Sequence, residues 1–314
     1  MNGQFGDDGN LRHLLSLDGM PRATLERLLD RAQALAADAR GGTAQRHVLA
    51  GKAVCTLFFE PSTRTRSSFS LAAQRLGADL LNFDASTAST TKGEADVDTL
   101  KTLEAMGVHA FVIRHKRDGA VAELAAAASP GTILLNAGDG RSNHPTQGLL
   151  DMLTLRQAKG DDFSRLKVVI VGDVKHSRVA RSDLHALHAL GCGEIRVCGP
   201  AALLPDDGTL DGCNVSHDFD AALEGVDAAM MLRLQRERMV EGLVESLEDY
   251  HRDYGLDARR LRRAAPEAIV MHPGPMNRGV EITDEVADGA QSRVLQQVAN
   301  GVAVRMAVLE ALLV

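Results

Sequence analysis

The sequence predicts an α/β protein of two domains, each a mostly parallel sheet flanked by helices, with a ligand site in the cleft between them. Short apolar runs alternate along the chain with segments of helical periodicity, which is typical of parallel sheets covered by helices. The length of 314 residues is enough for two well-filled cores. Cationic and amide side chains recur directly after the apolar runs, and open α/β sheets bind ligands at the carboxyl ends of their strands.

The first half opens with a Gly- and Asp-rich stretch, followed by an amphipathic helix over residues 22–37 that ends before Gly41 and Gly42. Strands and helices then alternate. The predicted strands are 53–59, 79–83, 108–114 and 132–136, and the predicted helices are 62–76, 95–106, 120–128 and 145–159.

The second half repeats this alternation after Gly160. The predicted strands are 166–172, 194–198, 228–232 and 268–271, the predicted helices are 177–190, 219–223 and 292–313, and the charged stretch 234–266 is predicted as helical pieces and a mobile loop. The domain break is placed in the helix after His144. This gives one domain over 1–150 and another over 151–291, and the last helix, 292–314, is long enough to return to the first domain.

The composition excludes several classes of function. A net charge of −7 without a long basic run, 3% aromatic residues and no Trp argue against a nucleic-acid partner. No apolar run approaches membrane-spanning length, and the polar N-terminus lacks the apolar core of a signal peptide. The four cysteines form no Cys-x-x-Cys pair or zinc pattern, which favours buried free thiols. We therefore expect a cytoplasmic protein that binds small anions.

The stretch 62–66, Ser-Thr-Arg-Thr-Arg, carries the strongest indication of a binding site. Pro61 ends the preceding strand and Ser62 is a good N-cap, so the stretch should lie on the first turn of a helix. Backbone N–H groups, the helix dipole, hydroxyls and guanidinium groups together suit a phosphate-like dianion. Because Arg64 and Arg66 leave the helix in different directions, one should bind the anion and the other should brace the loop or reach a neighbouring subunit. The alternative is a surface-exposed helix start rich in arginine.

A second candidate motif is His-Pro-Thr-Gln at 144–147, which opens a predicted helix. Pro145 suits the first helical position, and His144 and Gln147 are three residues apart, so they can share a face. A neutral imidazole could donate to a carbonyl oxygen while Gln147 holds the adjacent amide. The alternative is a capping histidine without a ligand. Arg114, at another strand end, is a further candidate.

In the second half, Arg178, Arg233 and Gln235 also follow predicted strands, and together they could bind a dicarboxylate. Surface salt bridges are the alternative. Gly172 follows a strand, but no further glycines come at the spacing of a dinucleotide site and no Walker motif is present, so we predict no nucleotide site. Lys92, in a loop rich in Ser and Thr, is either a solvated lysine or part of a mobile lid that reaches a phosphate.

With these motifs the chain resembles the aspartate carbamoyltransferase family over nearly its whole length. The stretch 62–66 looks like the carbamoyl-phosphate signature of carbamoyltransferases, and 144–147 is similar to their histidine motif. The stretches 233–238, Arg-Leu-Gln-Arg-Glu-Arg, and 272–275, His-Pro-Gly-Pro, resemble the aspartate enzymes. Ornithine enzymes would carry a Ser-Met-Gly loop and a His-Cys-Leu-Pro motif there, and neither is present.

The resemblance implies that L-aspartate attacks carbamoyl phosphate to give N-carbamoyl-L-aspartate and phosphate, an early step of pyrimidine synthesis. It assigns carbamoyl phosphate to the domain 1–150 and aspartate to the domain 151–291. The carbamoyl-phosphate contacts that it implies are Ser62, Thr63, Arg64, Thr65, Arg114, His144, Gln147 and the backbone of Pro273 and Gly274. The implied aspartate contacts are Lys92, Arg178, Arg233 and Gln235. The residues implied to be catalytic are Arg64, Thr65, Arg114, His144 and Lys92.

By the same resemblance Lys92 enters from a neighbouring subunit, so the smallest active unit is a homotrimer, and the chemistry needs no metal or organic cofactor. The segment 11–14 resembles longer members that associate with regulatory or dihydroorotase-like chains. One position departs from the family, because related chains usually carry serine where this chain has Ala88. Either Ser89 replaces that serine or the hydroxyl contact is weakened. A carbamoyltransferase for another amine, such as ornithine, and a catalytically silent scaffold are the alternative functions.

Overall fold

The computed structural model describes residues 3–40, 47–84, 95–234 and 246–314. The chain divides into two compact units. Unit 1 comprises Met1–Leu153 and Ala299–Val314, and unit 2 comprises Thr154–Val298. Each unit contains a parallel sheet with helices, so the predicted fold class of two α/β domains is confirmed. No helix in these ranges combines the length and the apolar character that crossing a membrane requires.

The sheet of unit 1 has four parallel strands in the order β2-β1-β3-β4. These are β1 (Ala53–Phe58), β2 (Asp79–Asp84), β3 (Ala110–His115) and β4 (Ile133–Asp139). The helices of this part of the chain are α1 (Arg22–Leu35), α2 (Thr63–Arg75), α3 (Asp96–Ala105), α4 (Ala120–Ala127) and α5 (Pro145–Lys159). The central strands β1 and β3 are buried almost throughout, as expected for parallel strands covered on both faces.

The N-terminal segment covers the β4 edge of this sheet. The Leu14 N–H donates to the Leu134 carbonyl at 3.0 Å, and the Asn136 N–H donates to the Leu14 carbonyl at 2.8 Å. The side chains of Leu14, Leu15 and Leu17 are buried. The segment therefore pairs the outer backbone groups of an edge strand, which would otherwise be open to another chain.

The sheet of unit 2 has five parallel strands in the order β7-β6-β5-β8-β9. These are β5 (Lys167–Val171), β6 (Glu194–Cys198), β7 (Asn214–Ser216), β8 (Ala228–Met231) and β9 (Ile269–Met271). The helices are α6 (Arg178–Ala189), α7 (Phe219–Ala222), α8 (Leu247–Tyr254), α9 (Ala258–Leu261), α10 (Asp284–Ala287) and α11 (Val294–Leu313), which continues into unit 1.

Three elements differ from the sequence prediction. The strand predicted over 132–136 continues to Asp139, because an irregularity between Ile113 and His115 lets His115 pair with Asp139. β7 was not predicted, since a three-residue strand at the edge of a sheet has too few buried positions to show alternation. The single turn α10 was not predicted either, because four residues are too short for a periodic pattern.

Candidate active site

The carboxyl ends of three neighbouring strands bring the candidate residues of unit 1 to one edge of its sheet. Ser62 and the first turn of α2 follow β1, Arg114 lies near the end of β3, and His144 follows β4. β1 pairs with β3 and β3 pairs with β4, all in parallel, so these ends lie side by side. This is the edge at which open α/β sheets bind ligands.

Ser62 occupies the N-cap position of α2 with an extended backbone (φ −159°, ψ 99°), but within this described turn its hydroxyl makes no capping hydrogen bond. Thr65 is buried, whereas Thr63 and Arg64 are exposed. An anion at the turn would meet the N–H groups of a helix start, two hydroxyls and a guanidinium. The arrangement therefore suits a phosphate group.

Arg66 has a different surrounding from Arg64. Its guanidinium lies over the ring of Phe58, 5.0 Å from the ring centroid, at the end of β1. This cation–π contact ties the start of α2 to the strand before it. Arg66 thus braces the turn, while Arg64 is exposed at the start of the helix.

Arg114 is held in place by two acceptors. Its Nη2 donates to Glu60 Oε1 at 2.7 Å and its Nη1 donates to the Ala137 carbonyl at 3.2 Å. The Phe59 N–H also donates to the Arg114 carbonyl at 2.8 Å. The residue is 9% exposed, so a fixed positive charge lies beside the loop that leads into α2. Such a preorganised cation stabilises negative charge without reorientation.

The loop before His144 is fixed by the carboxylate of Asp139. This carboxylate accepts hydrogen bonds from the N–H groups of Asn143 and Gly119, each at 3.1 Å, and from Asn136 Nδ2 at 3.0 Å. Burial raises the pKa of Asp139. Three donors on one buried carboxylate set the path of the chain from β4 to His144.

His144 is buried, and its carbonyl accepts the Gln147 N–H at 2.8 Å as α5 begins. Gln147 is on the same first turn and is 8% exposed. Its Nε2 donates to both oxygens of Asp151, each at 3.1 Å. The imidazole and the amide that were predicted to share a face therefore lie on one turn, and a buried carboxylate holds the amide.

The candidate residues of unit 2 follow β5, β8 and β9, which are also neighbours. Arg178 is the first residue of α6 and is half-buried. The Ser177 hydroxyl accepts the Ala180 N–H at 3.1 Å and caps this helix. Arg233 is exposed directly after the buried Leu232.

Glu281 joins two of these strand ends. Its carboxylate accepts the Leu234 N–H and the Asn277 N–H, each at 2.9 Å, and Asn277 Nδ2 at 3.0 Å. Asn277 Nδ2 also donates to the Leu234 carbonyl at 2.9 Å. Glu281 is fully buried, and burial raises its pKa. It therefore fixes the backbone next to Arg233 relative to the loop 272–277.

The loop after β9 carries the predicted backbone contacts Pro273 and Gly274. The Gly274 N–H donates to His272 Nδ1 at 2.9 Å, and the His272 N–H donates to Gln297 Oε1 at 2.9 Å. Gly274 has φ of 63°, which favours glycine, and its peptide bond to Pro275 is cis. Pro273 and Gly274 are half-buried.

Lys92, Gln235, Ala88 and Ser89 lie outside the described residues. In the described ranges no group of three or more His, Cys, Asp or Glu side chains is suited to hold a metal ion. Within unit 1 the structure brings the 62–66 turn, Arg114, His144 and Gln147 to one sheet edge, and within unit 2 it does the same for Arg178, Arg233, Pro273 and Gly274.

The sequence interpretation missed the residues that hold these groups. They are Glu60, Asp151, Asn277 and Glu281. Two of them carry a signal that could have found them, since Asp151 lies inside the apolar run 149–153 and Glu281 lies between Val280 and Ile282. A charge in such a position is rarely buried unless it is paired or hydrogen-bonded.

Two family models match consecutive parts of the chain. The model described as aspartate/ornithine carbamoyltransferase, carbamoyl-P binding domain, matches residues 12–157. The model described as aspartate/ornithine carbamoyltransferase, Asp/Orn binding domain, matches residues 164–312. The chain belongs to the aspartate/ornithine carbamoyltransferase family.

Relatives in this family are similar over nearly the whole chain. The aspartate carbamoyltransferase catalytic subunit of Xanthomonas campestris pv. campestris is 76% identical over 310 residues, which are 99% of this chain and 98% of that protein. The same subunit from Stenotrophomonas maltophilia is 74% identical over 312 residues, with the same shares of both chains.

Solved structures of the family share the fold. Aspartate transcarbamoylase from Trypanosoma cruzi in complex with carbamoyl phosphate and aspartate is 31% identical, with a TM-score of 0.85 over 96% of this chain and 97% of that one. Ornithine carbamoyltransferase from Thermus thermophilus is 29% identical, with a TM-score of 0.84 over 96% of this chain and 99% of that one. Because the two TM-scores are nearly equal, the fold alone does not distinguish an aspartate from an ornithine carbamoyltransferase.

Proposed function

We propose that this chain transfers the carbamoyl group of carbamoyl phosphate to the amine of L-aspartate, giving N-carbamoyl-L-aspartate and phosphate in pyrimidine synthesis. The observation that carries the proposal is the 76% identity, over 99% of the chain, to a protein named aspartate carbamoyltransferase catalytic subunit. The motifs at 233–238 and 272–275 favour the same acceptor, because they are those of the aspartate enzymes rather than of the ornithine enzymes.

The phosphate end of the site would lie in unit 1. The start of α2, with Ser62, Thr63, Arg64 and Thr65, would surround the phosphate, and Arg114 would add a second cation. As the C–O bond breaks, the leaving phosphate gains negative charge. The guanidinium of Arg114 is already fixed by two acceptors, so it stabilises that charge without reorganising.

The carbamoyl group would be held by His144, Gln147 and the loop 272–275. His144 would donate to the carbamoyl oxygen and so polarise the carbon that the amine attacks. Gln147 would accept an N–H of the carbamoyl amide, and the backbone of Pro273 and Gly274 would complete its contacts. The amine proton would pass to the leaving phosphate.

The aspartate would bind through its two carboxylates. Arg178 and Arg233 offer guanidinium groups at neighbouring strand ends of unit 2, and Gln235 and Lys92 would supply the other contacts. Holding amine and carbonyl in line can contribute roughly 7–11 kcal/mol to lowering the barrier.

We also propose a homotrimer in which Lys92 reaches the active site of a neighbouring subunit. The support comes from β2, an edge strand that ends eight residues before Lys92 in the sequence. Leu81 on β2 and Leu71 on α2 are 39% and 42% exposed, which gives this side apolar surface that a second subunit can cover.

The cysteines Cys55, Cys192, Cys198 and Cys213 are free thiols, which fits a reducing compartment, and we place the enzyme in the cytoplasm.

The acceptor is tested by supplying carbamoyl phosphate with aspartate, ornithine or an acylated ornithine and measuring the carbamoylated product. We expect turnover with aspartate alone. Turnover only with an ornithine would establish the alternative acceptor, and no turnover with any amine would favour a silent scaffold, for which the loss of the usual serine at Ala88 is the one specific indication.

The site is tested with Arg64→Ala and His144→Ala. Each should lower kcat/KM at least a hundredfold, on the order of what removing one preorganised charge-stabilising group costs. Arg22→Ala is the matched control, because Arg22 makes an exposed i,i+4 pair with Glu26 on α1. Unchanged activity in both site variants would rule out this assignment of the site.

A further inference from the structure

We infer that Asp151 sets the orientation of the Gln147 amide, with the guanidinium of Arg305 on the last helix as the counter-charge of its carboxylate. The inference rests on the proposed function, because it concerns how Gln147 recognises the carbamoyl amide. Asp151 and Arg305 are positioning residues here, since neither is assigned a contact with the substrate.

The geometry leaves one orientation for the amide. Gln147 Nε2 donates to Oδ1 and Oδ2 of Asp151, each at 3.1 Å, and Asp151 is fully buried. An ionised carboxylate only accepts hydrogen bonds, so it selects the NH₂ side of the amide. Gln147 Oε1 must then face away from Asp151. The two residues are four apart on α5, so the helix itself maintains the contact.

This orientation selects a ligand that donates a hydrogen bond. The carbamoyl group ends in an NH₂ group, which needs an acceptor such as Gln147 Oε1. If the amide were turned over, its own NH₂ would face the NH₂ of the ligand, and a buried donor would lose its partner. Acetyl phosphate carries a methyl group at that position, so its binding would not change if the Gln147 amide were turned over. Asp151 therefore sets the preference for carbamoyl over acetyl phosphate.

Arg305 is a buried cation whose charge interacts with that of Asp151. Its side chain is 3% exposed, and its guanidinium lies 4.9 Å from the centroid of the Phe69 ring on α2. Burial lowers the pKa of Arg305 to about 10 and the charge of Asp151 opposes this shift, so the guanidinium is cationic at neutral pH. Without a cation nearby, a buried carboxylate takes up a proton, and its O–H could then donate to Gln147 Oε1.

The first test is Asp151→Asn, whose Nδ2 can donate to Gln147 Oε1 and so permits the turned amide. By calorimetric titration, we expect the Kd of carbamoyl phosphate to rise about tenfold or more, as for a buried donor left unpaired. The Kd values of acetyl phosphate and inorganic phosphate should stay within about twofold. Adding Gln147→Glu to Asp151→Asn should restore the carbamoyl-to-acetyl preference, since a carboxylate offers an oxygen on both sides.

A second pair of variants keeps the inference testable if Asp151→Asn does not fold. Arg305→Met should show the same selective loss, whereas Arg305→Lys, which retains the charge, should not. Glu310→Gln is the control on the same helix, because Glu310 pairs with Arg31 and lies outside this cluster.

Equal weakening of all three ligands would mean a merely structural role and would overturn the inference, as would an unchanged preference. The proposed function fails separately, if the unmodified chain does not carbamoylate aspartate.

Discussion

His13 makes the stability of unit 1 depend on pH through a single side chain. It is 2% exposed, and its Nδ1 accepts the Leu134 N–H at 3.1 Å, so protonation would break this hydrogen bond. Burial, together with the charge of Arg12, lowers its pKa to about 4 from an ordinary value of 6.5. Above pH 6.5 both the folded and the unfolded chain carry neutral His13, and its full contribution to stability is present. Between pH 6.5 and 4 only the unfolded chain takes up the proton, so that contribution is lost as the pH falls.

We therefore predict that His13→Asn flattens the dependence of stability on pH. The Asn amide oxygen can accept the Leu134 N–H but does not titrate. Between pH 7.5 and 5 the unmodified chain should lose about 2 kcal/mol more unfolding free energy than the variant. Urea unfolding followed by far-UV circular dichroism measures the difference. Protonation of carboxylates with lowered pKa destabilises both proteins equally on acidification. Parallel curves of unfolding free energy against pH for the unmodified chain and His13→Asn would therefore contradict the prediction.

Glu281 is the residue of unit 2 whose loss should affect the aspartate end of the site. In Glu281→Gln an NH₂ group replaces one acceptor oxygen, so at least one N–H of Leu234 or Asn277 faces another donor. The backbone beside Arg233 should shift, and we expect the KM for aspartate to rise about tenfold or more. Glu285→Gln removes the same charge at an exposed position and is the control.

The same kinetics contain an internal reference for Glu281→Gln. Inorganic phosphate should bind at the start of α2 in unit 1, so its inhibition constant against carbamoyl phosphate should stay within about twofold. Equal KM values for aspartate in Glu281→Gln and Glu285→Gln would refute the positioning role.

At the residue scale the sequence predicts which polar groups lie at strand ends better than it predicts what holds them. Arg114 and His144 follow apolar runs, and the end of a buried strand can be recognised from the sequence alone. The partnership of Arg114 with Glu60 requires β1 and β3 to be neighbours, and that of Asp151 with Arg305 joins residues far apart in the sequence. Neither follows from spacing.

At the scale of elements, the helix α11 contains a glycine with a packing role. A side chain at Gly301 would meet Nη1 of Arg305, so the absence of a Cβ makes room for the buried guanidinium. Gly→Ala in a helix interior normally stabilises by about 1 kcal/mol. Here we predict that Gly301→Ala destabilises by about 1–3 kcal/mol, because the added methyl group displaces the guanidinium from the Phe69 ring.

Thermal melting of four proteins measures this effect: the unmodified chain, Gly301→Ala, Arg305→Met and the double variant. In the Arg305→Met background the more flexible side chain can yield, and Gly301→Ala should regain part of its ordinary stabilising effect. The same stabilisation by Gly301→Ala in both backgrounds would show that Arg305 does not fill this space.

Element boundaries could be predicted where the sequence contains strong stop signals. The predicted helix 145–159 matches α5 at both ends, because Pro145 suits a helix start and Gly160 ends it. The predicted strand 132–136 ended too early, because the Ala-Gly-Asp sequence after Asn136 reads as a turn. β4 continues there through tertiary pairing with β3, which local sequence does not encode.

At the scale of the whole molecule, alternation of apolar runs and helical segments was sufficient to predict two α/β domains. It does not give the order of strands. In unit 1 the chain starts its sheet at β1, adds β2 on one side and then β3 and β4 on the other. This order places the ends of β1, β3 and β4 side by side, and it leaves β2 at the edge that the proposed trimer would cover.

The shared active site of the proposed homotrimer makes a prediction about mixed subunits. Lys92→Ala and His144→Ala should each be nearly inactive alone, since every site then lacks one of its groups. After the two are unfolded and refolded together in equal amounts, about a quarter of the sites should combine an intact His144 from one subunit with an intact Lys92 from its neighbour, if assembly is random. Activity should therefore return to about a quarter of the unmodified level. A mixture as inactive as its components would mean that Lys92 acts within its own subunit. The control mixes Arg22→Ala with His144→Ala. Both variants retain Lys92, so this mixture should be active only at the sites that contain an intact His144.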